Sequence, residues 1–405
     1  MGFIKGCRPF LGLDGCHLKG KHKGITLSAT SIDANNCLFP VAFAIVKSEC
    51  GDSWKWFMEN LYSSIGEIRG LAFMSDKDKG LEAAIPLMFP SAEHKTCVRH
   101  LYQNFKKKYP GELFERLIWN CANSYNTPSF QWHLREIKSA SSNAATYLEG
   151  LTAQAWSRSQ FTPNARIGYV TNNISKSFNA WINKTRQMPI VEMVETIRHK
   201  IMERIDHRRA LGRKWRGKLV PKALKYVQTI VKDIGEYIVR RSSDVMAEVA
   251  GPDFTIVVRL DERTCTCRAW QVTGLPCIHA AAFITRIRGL DICDFVDEVY
   301  SLQKFRDTYA SSIAPMPSKG FRSISILFND PQSFPTALLK KPNTVVPFSS
   351  AATSNTGSKR GNSANRPQPP PIGKPNKGSG PQHNSSNEGD NKNTADEKVN
   401  NNGKN

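Results

Sequence analysis

Four residues in the last third of the chain carry the most specific chemistry. In TCTCRAWQVTGLPCIHAAAF (264–283), Cys265 and Cys267 stand two apart, and ten residues later Cys277 and His279 stand two apart again. On an extended chain that spacing turns both side chains of a pair to the same side. Three thiolates and one imidazole suit a closed tetrahedral Zn2+ site, and four protein ligands leave no open position for water. The implied role is structural rather than catalytic. Gly274 and Pro276 supply the bend between the pairs, and AAAFITRI (280–287) reads as a helix behind them. Three scattered core cysteines and a satisfied histidine are the plain alternative, and two matched pairs at this separation speak against it.

Carboxylates offer a second chemistry. Asp14 closes the strand-like FLGLDG (10–15), and Asp76 closes LAFMSD (71–76). If those strands are neighbours, the two carboxylates meet. Acids so placed can hold two Mg2+ ions about 3.5–4 Å apart, one activating a nucleophile and one steadying the leaving oxygen. Asp78 competes with Asp76 for the second place. Taken alone, these aspartates are equally well ordinary residues at the start of loops.

The elements that must position these groups alternate in type. GITLSATSI (24–32) and CLFPVAFAIV (37–46) are β-branched, apolar runs joined by the turn composition DANN. SWKWFMENLYSSIG (53–66) predicts a helix capped by Ser53, with Trp54, Phe57, Met58 and Leu61 on one face and Gly66 at its end. LEAAIPLMF (81–89) is helical, and HKTCVRHL (94–101) is a fifth strand or a strand-to-helix junction. From about 101 to 168 the signal is helical, and another helix opens at Thr171–Asn172. A basic helical stretch, 191–219, follows, with His207, Arg208, Arg209, Arg213, Lys214, Arg216 and Lys218 after its last acid, Asp206. FTIVVRL (254–260), the turn after it and the cysteine segment predict a small ββα module. Beyond about 341 the chain is Asn, Ser, Gly, Pro and Lys, a composition that cannot offset the entropy of ordering.

The 405 residues include 56 Lys and Arg against 35 Asp and Glu, a net charge of +21. That excess favours a polyanionic partner, nucleic acid first. The start lacks the apolar core of a secretory signal. The longest apolar run, LFPVAFAIV (38–46), is too short to span a bilayer. An intracellular protein without a membrane span is expected, and its ten cysteines read as core thiols or metal ligands rather than disulfides.

The cysteine segment resembles the SWIM-type zinc finger of plant Mutator transposases: CxC, a spacer with Trp270 and Gly274-Leu275-Pro276, then CxH and an alanine-rich helix. FLGLDGCHLKG (10–20), FMSDKDKGLEAAI (73–85), KTCVRHLYQNF (95–105) and TNNISKSFNAWI (171–182) follow, in order, the blocks of Mutator-like (MULE) transposase domains. The resemblance implies a ribonuclease-H-like mixed α/β sheet with a helical insertion, and a DDE triad for cut-and-paste DNA transposition. Asp14 and Asp76 match the first two acids, and Cys97 and His100 match the family's CxxH element. The family's last block reads NNxxES; here it is NNISKS, so Lys176 stands in the third acid's place. Glu82, Glu192 and Glu195 lie in no matching block.

That replacement matters physically. At about 4 Å and an effective dielectric near 20, an ammonium repels a cation by roughly 4 kcal/mol per unit charge. A helical wheel sets Ile174, Phe178, Trp181 and Ile182 as the buried stripe, with Lys176 on the far side. The first strand also begins almost at Met1, so the DNA-binding region that precedes the core in full-length family members is expected to be absent. The expected organisation is a MULE-like domain at 1–200 with its insertion at about 101–168, a basic helical linker at 201–245, the zinc finger at 246–300, an unassigned 301–340 and a disordered tail at 341–405. The expected function is a nuclear, zinc-binding, DNA-binding protein derived from a transposase and catalytically impaired, as the related far-red-response family suggests. Mg2+ enters only if the triad works, and the finger is a candidate protein-contact site. An active DDE transposase is the alternative.

Overall fold

The computed structural model describes residues 1–316 apart from 22, 77–79 and 253. Asp78 and the tail at 341–405 therefore lie outside the described residues. A short helix α1 (Gly2–Gly6) precedes three strands, β1 (Phe10–His17), β2 (Ile25–Ile32) and β3 (Leu38–Val46). Then come α2 (Gly51–Ile65), β4 (Ala72–Ser75), α3 (Leu81–Met88) and β5 (Glu93–Thr96). The five strands form one sheet in the order β3-β2-β1-β4-β5. The first three are antiparallel neighbours, whereas β4 pairs parallel with both β1 and β5. Hairpin-length links serve the antiparallel part, and helices α2 and α3 make the crossovers that parallel pairs require.

The period of two sorts β1 between two faces. Leu11 and Leu13 pack with Trp54, Phe57, Met58 and Phe73 on the α2–α3 side. Phe10 packs on the other side with Ala72, Met74, Cys97 and Ile167. Each large side chain so buried contributes about 1.5–3 kcal/mol. By the same alternation Asp14 shares the face of Phe10 and Gly12. The helix of 53–66 appears as α2, with Trp54, Phe57, Met58 and Leu61 buried as expected. Its start differs. The N-cap is Cys50, and the Ser53 hydroxyl instead donates to Ser48 O at 2.9 Å.

Helices α4 (Val98–Phe105), α5 (Glu112–Asn123), α6 (Thr127–Ala140), α7 (Ser142–Glu149) and α8 (Ala153–Trp156) follow β5. They own a separate apolar core around Phe105, Leu117, Ile137 and Trp156. This excursion is pinned where it leaves and returns: Val98 N–H donates to Val170 O at 2.9 Å, and Asn172 N–H to Cys97 Sγ at 3.3 Å. Helices α9 (Asn173–Trp181) and α10 (Ile190–Lys214) then lie against the sheet through Phe178, Ile182, Met193 and Ile197.

The stretch expected as a linker is packed into the body. Val220, Ala223 and Val227, at and in α11 (Pro221–Ile230), are buried in the same core as Leu27 and Trp54. The zinc segment is larger than ββα. Strands β6 (Ile238–Arg241), β7 (Met246–Ala250), β8 (Thr255–Arg259) and β9 (Thr264–Cys265) form an antiparallel sheet in that order. Helices α12 (Ala269–Thr273), α13 (Ile278–Ile284) and α14 (Leu302–Thr308) complete the described chain. Sequence reading missed β6 and β7 because IVRR and MAEVA are too short to show a convincing period, and β6 stays largely exposed.

Candidate functional site

The metal centre is built from a strand end and a helix start. β9 ends at Cys265, Arg268 takes a left-handed conformation (φ 62°), and Cys277 is the N-cap of α13. His279 lies in the first turn of that helix. The turn folds the second ligand pair back onto the first. The ligand atoms of Cys265, Cys267, Cys277 and His279 all lie within 4.8 Å of one another. His279 Nδ1 stands 3.7 Å from Cys265 Sγ and 3.8 Å from Cys277 Sγ. Those are close to the edges of a tetrahedron with Zn–S about 2.3 Å and Zn–N about 2.0 Å, so the donors fit zinc bound through Nδ1. Hydrogen bonds from Cys265 and then Cys277 hold the Cys267 thiol well below its usual range. Among the described residues this is the one group of three or more such donors gathered so closely.

The finger is bolted to the rest of the chain. The Arg268 guanidinium donates to the carbonyls of Tyr125, Ser159 and Phe161 at the base of the helical insertion. Arg166 pairs with Asp297 at 2.8 Å, Tyr226 OH donates to Pro276 O at 3.0 Å, and Tyr309 OH to Asp33 Oδ2 at 2.8 Å. Cys265, Trp270 and Cys277 are buried in the core that also holds Leu11 and Leu27.

The second constellation surrounds Asp14. The parallel register pairs Gly12 with Met74, so two residues further on Asp76 lies beside Asp14. Burial lifts the Asp14 carboxyl to about 6, and the charge of Asp76 adds to the rise. His100 and Lys176 act against it, while Glu49 pushes the same way as Asp76. Asn179 Nδ2 donates to Asp14 Oδ2 at 2.8 Å. The Cys97–His100 pair also borders this site. Its mutual interaction holds His100 above its usual value, with Asp76 adding and Lys176 opposing. Against burial, His100 and the Asn172 N–H pull the Cys97 thiol down.

Helix α9 reaches this site through polar side chains. Asn172 is its N-cap but its side chain accepts from no backbone N–H of the first turn; its Nδ2 donates to Leu13 O at 2.8 Å and its Oδ1 accepts from Ser175 Oγ at 2.9 Å. Ser175 is fully buried, 3.0 Å from Thr30 Oγ1. Gly12 makes this approach possible, since a Cβ there would overlap Asn172 and Ser175. The helical wheel correctly buries Phe178 and Ile182, and Lys176, off that stripe, is half-buried. It flanks the docked face and acts on both Asp14 and His100.

Glu49 escaped the sequence reading. It follows β3, and a Cβ on Gly15 would overlap its carboxylate, so the group lies against Gly15, the neighbour of Asp14 in β1, near enough for its charge to raise the Asp14 carboxyl. No motif or spacing marks it. Three cations of the basic run at 207–218 are bonded to the protein itself, while Arg213 and Lys214 are exposed. Arg209 donates to Tyr309 O and Ser311 O, both at 2.9 Å, Arg216 donates to Arg213 O, and Lys218 pairs with Asp294.

A mixed α/β sheet carrying paired aspartates, joined to a compact three-cysteine, one-histidine module, defines a two-part protein with a zinc module. Comparison with known families agrees: residues 10–104 match the MULE transposase domain and residues 252–287 the SWIM zinc finger. The chain thus carries both domains, and the finger's ligand set is a structural zinc site. No curated protein matches the chain. Among the described residues no helix is long and apolar enough to cross a membrane.

Proposed function

We propose that this is a transposase-derived nuclear protein that binds DNA and has lost efficient strand cleavage. The sheet order β3-β2-β1-β4-β5, interrupted after β5 by helices, supports a ribonuclease-H-like reading of the MULE domain. The observation that carries the loss of cleavage is Lys176, whose charge bears on Asp14 at the position where the resemblance calls for a glutamate. An ammonium there offers no oxygen to Mg2+ and opposes a cation by several kcal/mol at about 4 Å. The test is Mg2+ or Mn2+ binding to the full chain, wild type against Lys176→Glu. Divalent binding at least tenfold tighter in the glutamate form is expected. Equal binding, or metal-dependent DNA cleavage by the wild type that Asp14→Ala abolishes, defeats the reading.

One observation favours an active enzyme as the second reading. Glu49 brings a carboxylate against Gly15, near enough to act on Asp14, without using the α9 position. If it serves as the third acid, cleavage depends on Glu49 and tolerates Lys176→Ala. Under the first reading neither substitution has a cleavage activity to alter.

A further inference from the structure

Part of the basic face of α10 is bonded to the chain itself, for Arg198 pairs with Glu195, Lys200 donates to Trp181 O and Arg209 to Tyr309 O, while Arg213 and Lys214 are exposed. A second positive surface lies at the end of β1. The link from β1 to β2 reads LKGKHKG (18–24), and no acid occurs between Asp14 and Asp33. Lys19, Lys21 and Lys23 are exposed on it. The 3-10 turn Thr185–Gln187 is fastened against this link: Lys19 N–H and Gly20 N–H donate to Arg186 O at 2.8 and 3.1 Å, and Arg186 Nη1 donates to His17 O at 3.0 Å. That contact adds Lys184 and Arg186, in a stretch with no acid from Thr171 to Val191. The β2–β3 register, which pairs Ile25 with Val46, brings exposed Lys47 to the same end of the sheet.

The ridge has a fixed shape. Leu18 N–H donates to Gly24 O at 2.9 Å, and Gly24 (φ +154°) lies so close to Val46 O that a Cβ would overlap it. Gly20 likewise leaves no room for a Cβ against Gln187. Among the described residues none of these six cations has an ion-pair partner. Like charges held together without acids repel one another, and a polyanion relieves that repulsion. The first lysine of the ridge, Lys19, is also five residues beyond Asp14, and Lys47 is two residues from Glu49.

We propose that the β1–β2 link, with Lys184, Arg186 and Lys47, grips the phosphate backbone of duplex DNA and delivers it to the Asp14 face. This rests on the DNA-binding reading above and names the surface that performs it. Each phosphate contact adds about 0.9 to the slope of log affinity against log salt. In the full chain, K19A/K21A/K23A is expected to flatten that slope by between about 2 and 3. The charge-matched control, K106A/K107A/K108A on three exposed lysines of the helical insertion, is expected to leave it within about 0.5 of wild type. K19R/K21R/K23R is expected to bind as the wild type does. Equal losses from the two alanine triples, an unchanged slope in the first, or loss in the arginine variant overturns the proposal. Tighter binding of wild type to single-stranded RNA of the same length overturns duplex DNA as the occupant. If wild type binds no duplex at low salt, the DNA-binding reading itself falls, a result distinct from a hairpin triple that binds normally.

Discussion

The zinc finger and the acid pocket are assembled in opposite ways. All four zinc ligands fall between 265 and 279, and one turn with a left-handed residue and one helix start bring them together. The acid pocket draws Asp14, Glu49, Asp76, His100 and Lys176 from five separate segments of the MULE part and the helix after its insertion. The first set is complete and has the chemistry of one ion. The second mixes acids with cations, and among the described residues its donors are not gathered as the finger's are. A site held by local geometry keeps its chemistry as long as its few residues remain. A site held by sheet order and helix docking can keep its scaffold and lose its chemistry through one substitution, the role proposed above for the lysine on α9.

The sharpest way to break this comparison is to remove the metal. Cys277→Ser leaves three ligands and exposes the shared core of Cys265, Trp270 and Leu27 to collapse. We expect loss of the approximately one Zn2+ per chain, with a lower unfolding midpoint for the sheet domain as well as the finger, since structural zinc supplies folding energy on the order of 10 kcal/mol. Metal analysis and thermal unfolding check this. A MULE domain that melts unchanged after zinc loss contradicts the coupling.

Gly12→Ala attacks the other region at its tightest point. The new methyl meets Asn172 and Ser175, so α9 must move off β1. A destabilisation of about 2–3 kcal/mol is expected, the range for overpacking a buried contact, with zinc content unchanged. Denaturant unfolding of the two proteins gives the number.

A smaller effect comes from the charge on Asp14. Burial raises this carboxyl from 3.8 to about 6 in the folded chain. The folded state therefore holds the proton more tightly, and the ionised group costs stability above pH 6, a cost that fades as pH falls toward 4. Asp14→Asn should stabilise by about 1–2 kcal/mol at pH 7.5, after discounting for solvent access, and by little at pH 4.5. It keeps an acceptor for Asn179. Urea midpoints at the two pH values, without added Mg2+, test the sign. A gain that grows on acidification refutes it.

Much of the scaffold is legible because it repeats. β-Branched, apolar runs mark β2 and β3, and the stripe of Trp54, Phe57, Met58 and Leu61 marks α2. The start of α2 was misread because Ser53 has the composition of a cap yet bonds to Ser48. Strands β6 and β7 carry too few residues for a period. The α9 face was half legible: apolar spacing finds Phe178 and Ile182, but nothing apolar marks Ser175, which is buried because a glycine opposite it admits the helix.

The sequence by itself determined the zinc site, because ligand type and short spacing leave a turning chain only one way to pair two thiolates with a thiolate and an imidazole. It also placed Asp76 at the end of β4, whereas Asp14, read as closing its strand, lies inside β1, which the pairing with β2 carries on to His17. Tertiary structure alone decided that Glu49 comes near Asp14, that Lys176 bears on that carboxyl, and that Arg209 of α10 bonds to the chain while the lysines after β1 face solvent. Those contacts follow from strand order and from where helices dock. Neither leaves a mark in the periodicity of the segments involved.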